Sequence, residues 1–167
     1  MVTDAAMTDL KTLYEEDTVA WAENQAAALR SAARGRSNQA LDWENLAEEI
    51  EDLGKSLRVA LRSQITRIIH HLIKIEFSPA IDPQAGWRAS VREARTEIQT
   101  LLEDSPSLQR DVNRYVNSQL PRAIKLAMGD LEDHGEIKQP TLTLIRAVGY
   151  TQDQILGDWF PPEPAKE

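Results

Sequence analysis

The chain contains no cysteine. That excludes a disulfide framework, a thiolate nucleophile and any zinc or iron–sulfur site ligated by cysteine. Long apolar runs are missing too. None approaches the roughly 20 residues that span a bilayer, and the first residues lack the basic-then-apolar order of a signal peptide. The second absence predicts a chain with no membrane contact. Aromatic residues make up 5% of the sequence, and 27 acids outnumber 19 bases to leave a net charge of -8. Such a balance disfavours a nucleic-acid partner, which wants positive charge and exposed rings for stacking. The sequence also lacks a glycine-rich phosphate loop, a Gly-x-Ser-x-Gly elbow and a His-Glu-x-x-His zinc helix.

What remains is ordinary soluble composition over 167 residues, 41% hydrophobic and 28% charged, which predicts a single domain over 1–167 with an extended tail from about 161. Charge is segregated: residues 1–54 carry -8, residues 55–125 carry +5 and residues 126–167 carry -5. The expected use of that pattern is internal, with acidic outer segments against a basic middle.

Apolar spacing reads as helix nearly throughout, so the predicted fold is all-α: an antiparallel up-and-down bundle of four long helices with short C-terminal helical elements. A first helix is predicted from a Thr8 cap to about Arg34, with Leu10, Leu13, Tyr14, Ala20, Trp21, Ala27 and Ala28 inward. Gly35 ends it, and 36–39 reads as a loop. A second is predicted from an Asp42 cap to Pro79, with Leu41 stapled on Leu46. Its seam is Trp43, Leu46, Ile50, Leu53, Leu57, Leu61, Ile65, Ile68, Leu72 and Ile75, and it widens after residue 60 to make the most enclosed part of the fold. Asp82 and Pro83 open a third helix with Trp87, Val91, Ala94 and Ile98 inward. Ser105 and Pro106 open a fourth, which Pro121 is expected to break or kink. Thr151 and Gln154 form a capping box for a short last helix.

Candidate chemistry lies where polar residues intrude on these seams. Asp17 falls between Tyr14 and Trp21, where a carboxylate needs a partner; an arginine of the basic middle is the expected one. Glu49 flanks the seam of the second helix, and His71 flanks it further on, whereas His70 is expected in solvent. The 22 residues between Glu49 and His71 span about 33 Å of helix, so one straight helix cannot bring them together. No acid precedes either histidine by three or four positions, and no metal site or cofactor is predicted. Arg88, Arg92 and Arg95 form one row beside Trp87, and this group is the candidate for ligand binding; Lys55, Arg58 and Arg62 form another. Pairing of both rows with neighbouring acids is the plainer expectation.

Taken in order, Asp17-x-x-x-Trp21-x-x-x-Gln25, Leu41-Asp42-x-Glu44-Asn45-Leu46-x-Glu48-Glu49-Ile50, His71-Leu72-x-Lys74, Trp87-Arg88, Arg95, Ser105-Pro106-Ser107-Leu108 and Thr151…Ile155-Leu156…Phe160-Pro161 resemble the DUF29 family. Departures are Ile75, where the family has an aromatic, and Gly86, where it has serine. The resemblance implies an all-helical fold in a bacterial cytoplasm and brings no activity with it. It singles out Asp17, Gln25, Asn45, Glu48, Glu49, His71, Lys74, Arg88 and Arg95. Three functional readings follow. The first is a non-catalytic module that binds a protein partner or its own copy. The second is an enzyme or ligand-binding or metal-binding bundle built on His71 with Asp17 or Glu49. The third is nucleic-acid binding through the arginine rows.

Overall fold

Hydrophobic spacing near 3.6 residues produces helices at every regular element of the described chain. The computed structural model describes residues 4–35, 42–135 and 139–162. In order these form α1 (Asp4–Glu16), α2 (Thr18–Arg34), α3 (Trp43–Phe77), α4 (Gln84–Asp104), a 3-10 turn (Pro106–Asp111), α5 (Val112–Asp133), α6 (Gln139–Arg146) and α7 (Gln152–Leu156). The predicted loop at 36–39, the Leu41 staple and the end of the tail at 163–167 lie outside the described residues. The chain divides into two compact units, residues 1–60 with 100–109, and residues 61–99 with 110–167.

In the first unit the expected single helix is two. α1 already runs at Asp4, so Thr8 is interior rather than a cap, and the chain leaves helical geometry at Asp17 (φ -154°, ψ 91°) before α2 begins. The break resets the helical phase. Val19, Ala22 and Ala26 are buried, while Ala27 and Ala28, predicted inward, are exposed and Tyr14 is 54% exposed. Tyr14 instead meets the edge of Trp21, with ring centroids 4.8 Å apart.

α2 approaches α3 at Gly54, and Ala47, two turns earlier on α3, is fully buried. A Cβ built at Gly54 would stand 3.8 Å from the Ala22 Cβ and 3.8 Å from the Val19 carbonyl, ordinary contact. Ion pairs Arg30–Glu51 and Arg58–Glu23 flank this approach. Because the site has room for a methyl, Gly54→Ala is expected to stabilise the protein by about 0.5–1 kcal/mol through helix propensity. Urea denaturation measures it; a destabilised variant would show that the two helices cannot yield even tenths of an ångström.

The seam of α3 behaves differently along its length. From Leu61 through Ile65, Ile68, Ile69, Leu72, Ile73 and Ile75 every apolar side chain is fully buried, as the widened stripe predicts. Before residue 60 the expectation fails: Leu46 is 41% and Leu53 is 42% exposed. The approach of α2 falls at Gly54, beside the stripe rather than on it.

In the second unit α4 buries Val91, Ala94 and Ile98, and α5 buries Val112, Tyr115, Val116, Ala123, Ala127 and Leu131. The first α4 bond runs from the Trp87 N–H to the Pro83 carbonyl at 3.1 Å, so Pro83 occupies the capping position expected for Asp82. Ser105 and Pro106 open a 3-10 turn, with the Leu108 N–H donating to the Ser105 carbonyl, before α5 starts at Val112. Pro121 does not end α5. Both Pro121 and Asn117 are exposed, so the carbonyl that loses its donor faces water. The Thr151–Gln154 capping box of α7 is present as predicted.

Candidate functional site

Polar chemistry concentrates in the second unit, where α3 faces α4. Residues 67, 71 and 74 share one row of α3 by helical period. At its ends, Arg67 donates to Ser90 Oγ and Glu93, each at 2.9 Å, and the Lys74 ammonium lies 4.8 Å from the Trp87 ring centroid. His71 sits between them. Its ring lies 4.9 Å from that of His70, and its Nδ1 is buried without a hydrogen-bond partner.

His70 is not solvated, contrary to expectation. It is half-buried, with Nε2 3.0 Å from Asp130, and Lys74 Nζ reaches the same oxygen at 2.7 Å. Burial lowers the His70 pKa, against the pull of the Asp130 carboxylate. Burial raises that of Asp130, but the Lys74 and His70 contacts outweigh it and hold the carboxyl below its usual range. The acid that would orient a catalytic histidine thus serves His70 and Lys74, whereas His71 has none among the described residues. Among the described residues no three His, Asp or Glu side chains gather as a metal would need.

Burial, reinforced by the neighbouring positive groups, pushes the His71 pKa down from 6.5 to about 4. The unfolded chain takes up this proton near pH 6.5 and the folded chain only near pH 4, so stability falls as pH drops through that window. With the imidazole partly exposed, solvent screening limits the effect to about 1–2 kcal/mol. Urea denaturation near pH 7 and near pH 4.5 checks it: His71→Gln is expected to lose that share of the acid sensitivity.

The arginine row of α4 makes no ion pair among the described residues. Arg88 lies 4.9 Å from the Phe160 ring centroid and Arg95 4.8 Å from the same centroid, while Arg92 is exposed. Arg95 is buried and donates to three carbonyls, those of Ile155 (2.9 Å), Gln154 (2.8 Å) and Trp159 (2.7 Å). These oxygens belong to α7 and the irregular segment after it, so Arg95 clasps the C-terminal segment. The other row divides: Lys55 pairs with Asp52, Arg58 with Glu23, and Arg62 lies over Tyr115. In the second unit the Tyr150 hydroxyl donates to Glu76 at 2.9 Å, and burial together with that carboxylate raises the phenol's pKa.

Asp17 and Glu49 belong to the first unit and His71 to the second. Asp17 accepts from the Ala20 N–H at 2.8 Å as the cap of α2, from the Ser107 N–H at 2.6 Å and from Ser107 Oγ at 2.9 Å. No arginine among the described residues is its partner. An N-cap aspartate needs only nearby amides, and the helix break at residue 17 supplies them. Glu49 is exposed. Sequence reasoning missed His70, Asp130 and Ser107 as bonding partners. Ser107 and Phe160 lay within quoted motifs, while Asp130 had no local signal.

These helices and their structural polar clusters define an all-α protein, and no described helix is long and apolar enough to cross a membrane. Residues 13–160 match the family described as Domain of unknown function DUF29, and the chain belongs to that family. No curated protein matches it. Among solved structures it is similar to an α-helical protein of unknown function from Rhodospirillum rubrum ATCC 11170. The two are 27% identical with a TM-score of 0.66, over 86% of this chain and 88% of that one.

Proposed function

We propose that this chain is a bacterial helical interaction module that works by binding protein rather than by catalysis. The observation that carries the reading is how its polar residues are employed. Asp17 caps a helix, Arg95 holds backbone carbonyls and Asp130 is taken by Lys74 and His70, while large apolar side chains stay in solvent at Leu46 and Leu53. Polar groups committed to fixed structural bonds favour a rigid scaffold over a reacting site. Mass measurement across concentration, with chemical cross-linking in the native host, tests it. A stoichiometric complex, with itself or one other protein, supports the reading; a monomer that cross-links to nothing overturns it.

A second reading has one observation in its favour: Arg88 and Arg92 meet no carboxylate among the described residues. Guanidiniums on one helix row suit a carboxylate or phosphate group. Titration with inorganic phosphate, followed by NMR of the arginine Nε–H signals, should shift Arg88 and Arg92 and leave Arg122 in place. Equal shifts at all exposed arginines would remove it.

A further inference from the structure

Three positive charges stand on one row of α4, and none of them is neutralised by an ion pair among the described residues. Arg95 is 9% exposed, and its Nη1 is buried without a hydrogen-bond partner. What compensates its charge is dipolar, the three carbonyls of the C-terminal segment, with Asp158 acting through space. Arg88 is half-buried and Arg92 exposed, and neither guanidinium donates a hydrogen bond among the described residues. The ring of Phe160 ties the row to the clasped segment: its centroid lies 4.9 Å from the Arg88 guanidinium carbon and 4.8 Å from that of Arg95. Contact with a ring uses none of a guanidinium's five donors, so those of Arg88 stay available.

We propose that Arg88 and Arg92 hold a phosphate group between them, and that its binding tightens the docking of the C-terminal segment through Phe160 and Arg95. The proposal rests on the anion reading of the arginine row; it names the group bound and adds the consequence of binding. Arg88 and Arg92 lie one turn apart, about 6 Å along the helix axis. The two oxygens of a carboxylate satisfy one guanidinium fork, whereas a phosphate group spreads three or more oxygens around a tetrahedron and carries about -1.5 to -2 of charge, enough for both forks. Coupling to the C-terminal segment has two sources. Phe160 follows Trp159, whose carbonyl Arg95 holds at 2.7 Å, so an anion that fixes Arg88 fixes one support of the ring next to the clasp. Charge supplies the other: Arg92 and Arg88 stand about 5 Å and about 10 Å along the axis from Arg95, within or near the screening length at ordinary salt, and an anion between them cancels their repulsion of it. By linkage, whatever tightens the clasp also tightens phosphate binding.

Amide hydrogen exchange of the full chain, followed by NMR at fixed pH and ionic strength, tests this. Against a chloride reference, saturating inorganic phosphate is expected to slow exchange at α7 and Trp159 by about threefold to tenfold and to leave α2 unchanged. Acetate should slow nothing, and the double variant R88Q/R92Q, with neither side chain in the apolar core, should keep its helicity and lose the phosphate effect. Phosphoserine serves as a second probe. Slowing by inorganic phosphate supports a free anion as the ligand, and slowing by phosphoserine alone supports a phosphate group carried on a larger molecule. Equal slowing by acetate overturns the proposal, as does slowing that survives R88Q/R92Q. Equal slowing throughout the chain, the general effect of phosphate on folded proteins, overturns it too. Shifts of the Arg88 and Arg92 Nε–H signals with unchanged exchange at α7 overturn the coupling and leave the anion reading standing, whereas no shift and no slowing removes both.

Discussion

Replacing Arg95 by alanine is expected to cost about 3–4 kcal/mol of unfolding free energy and to release the C-terminal segment first. A hydrogen bond to a charged donor is worth about 1.5–3 kcal/mol, and Arg95 makes three, all to backbone carbonyls. They do not simply add, because the segment has an alternative: it can undock and return its carbonyls to water. That alternative caps the loss and gives it a location. In the variant, amide exchange should accelerate across α7 and at Trp159 before it does in α3, and Trp159 should leave the neighbourhood of Tyr150, whose ring centroid lies 6.1 Å away. Urea denaturation measures the energy and hydrogen exchange the order of events.

Lysine is expected to recover little. A guanidinium presents donors in a planar fork, so Nε reaches Ile155 while Nη2 serves both Gln154 and Trp159. A single ammonium cannot match those directions, and it would lose the flat face over Phe160. An Arg95→Lys variant as stable as the parent, with unchanged exchange at α7, would show that the clasp is not what holds the segment.

The arginine row was legible in the sequence as a row; its partners were not. Spacing places Arg88, Arg92 and Arg95 on one face, but the groups that receive Arg95 are backbone carbonyls some 60 residues away, and a carbonyl has no residue identity to read. The same holds for His70 and Asp130, 60 positions apart. Helical periodicity located the interior well where α3 is apolar over a wide arc, from Leu61 to Ile75. It failed at Leu46 and Leu53, because a stripe states that one face is apolar and not that something within the chain covers it. Asp17 shows a third limit. An acid between apolar positions looks like a seam residue as long as one helix is assumed, and like a cap once the helix is known to stop. The local signal was available: Asp followed by Thr and Val is a good start for a helix and a poor middle.

Asp17→Ala is therefore expected to destabilise the protein by about 3 kcal/mol, for two separable reasons. Loss of the cap on α2 accounts for about 1 kcal/mol. The remainder comes from Ser107, whose N–H and hydroxyl both donate to this carboxylate and would be left without their acceptor. Asp17→Ser separates the two: its hydroxyl can cap α2 but is too short to reach Ser107, so about 1 kcal/mol should return. Ser107→Ala removes only the hydroxyl bond and keeps the N–H bond at 2.6 Å, so it should cost about 1 kcal/mol alone and almost nothing once Asp17 is alanine. That coupling, measured by urea denaturation of the four proteins in the cycle, distinguishes a clamp between α2 and the turn at 106–111 from a carboxylate held for some other purpose. If the two substitutions add independently, Asp17 acts on α2 alone and its contact with Ser107 contributes nothing to stability.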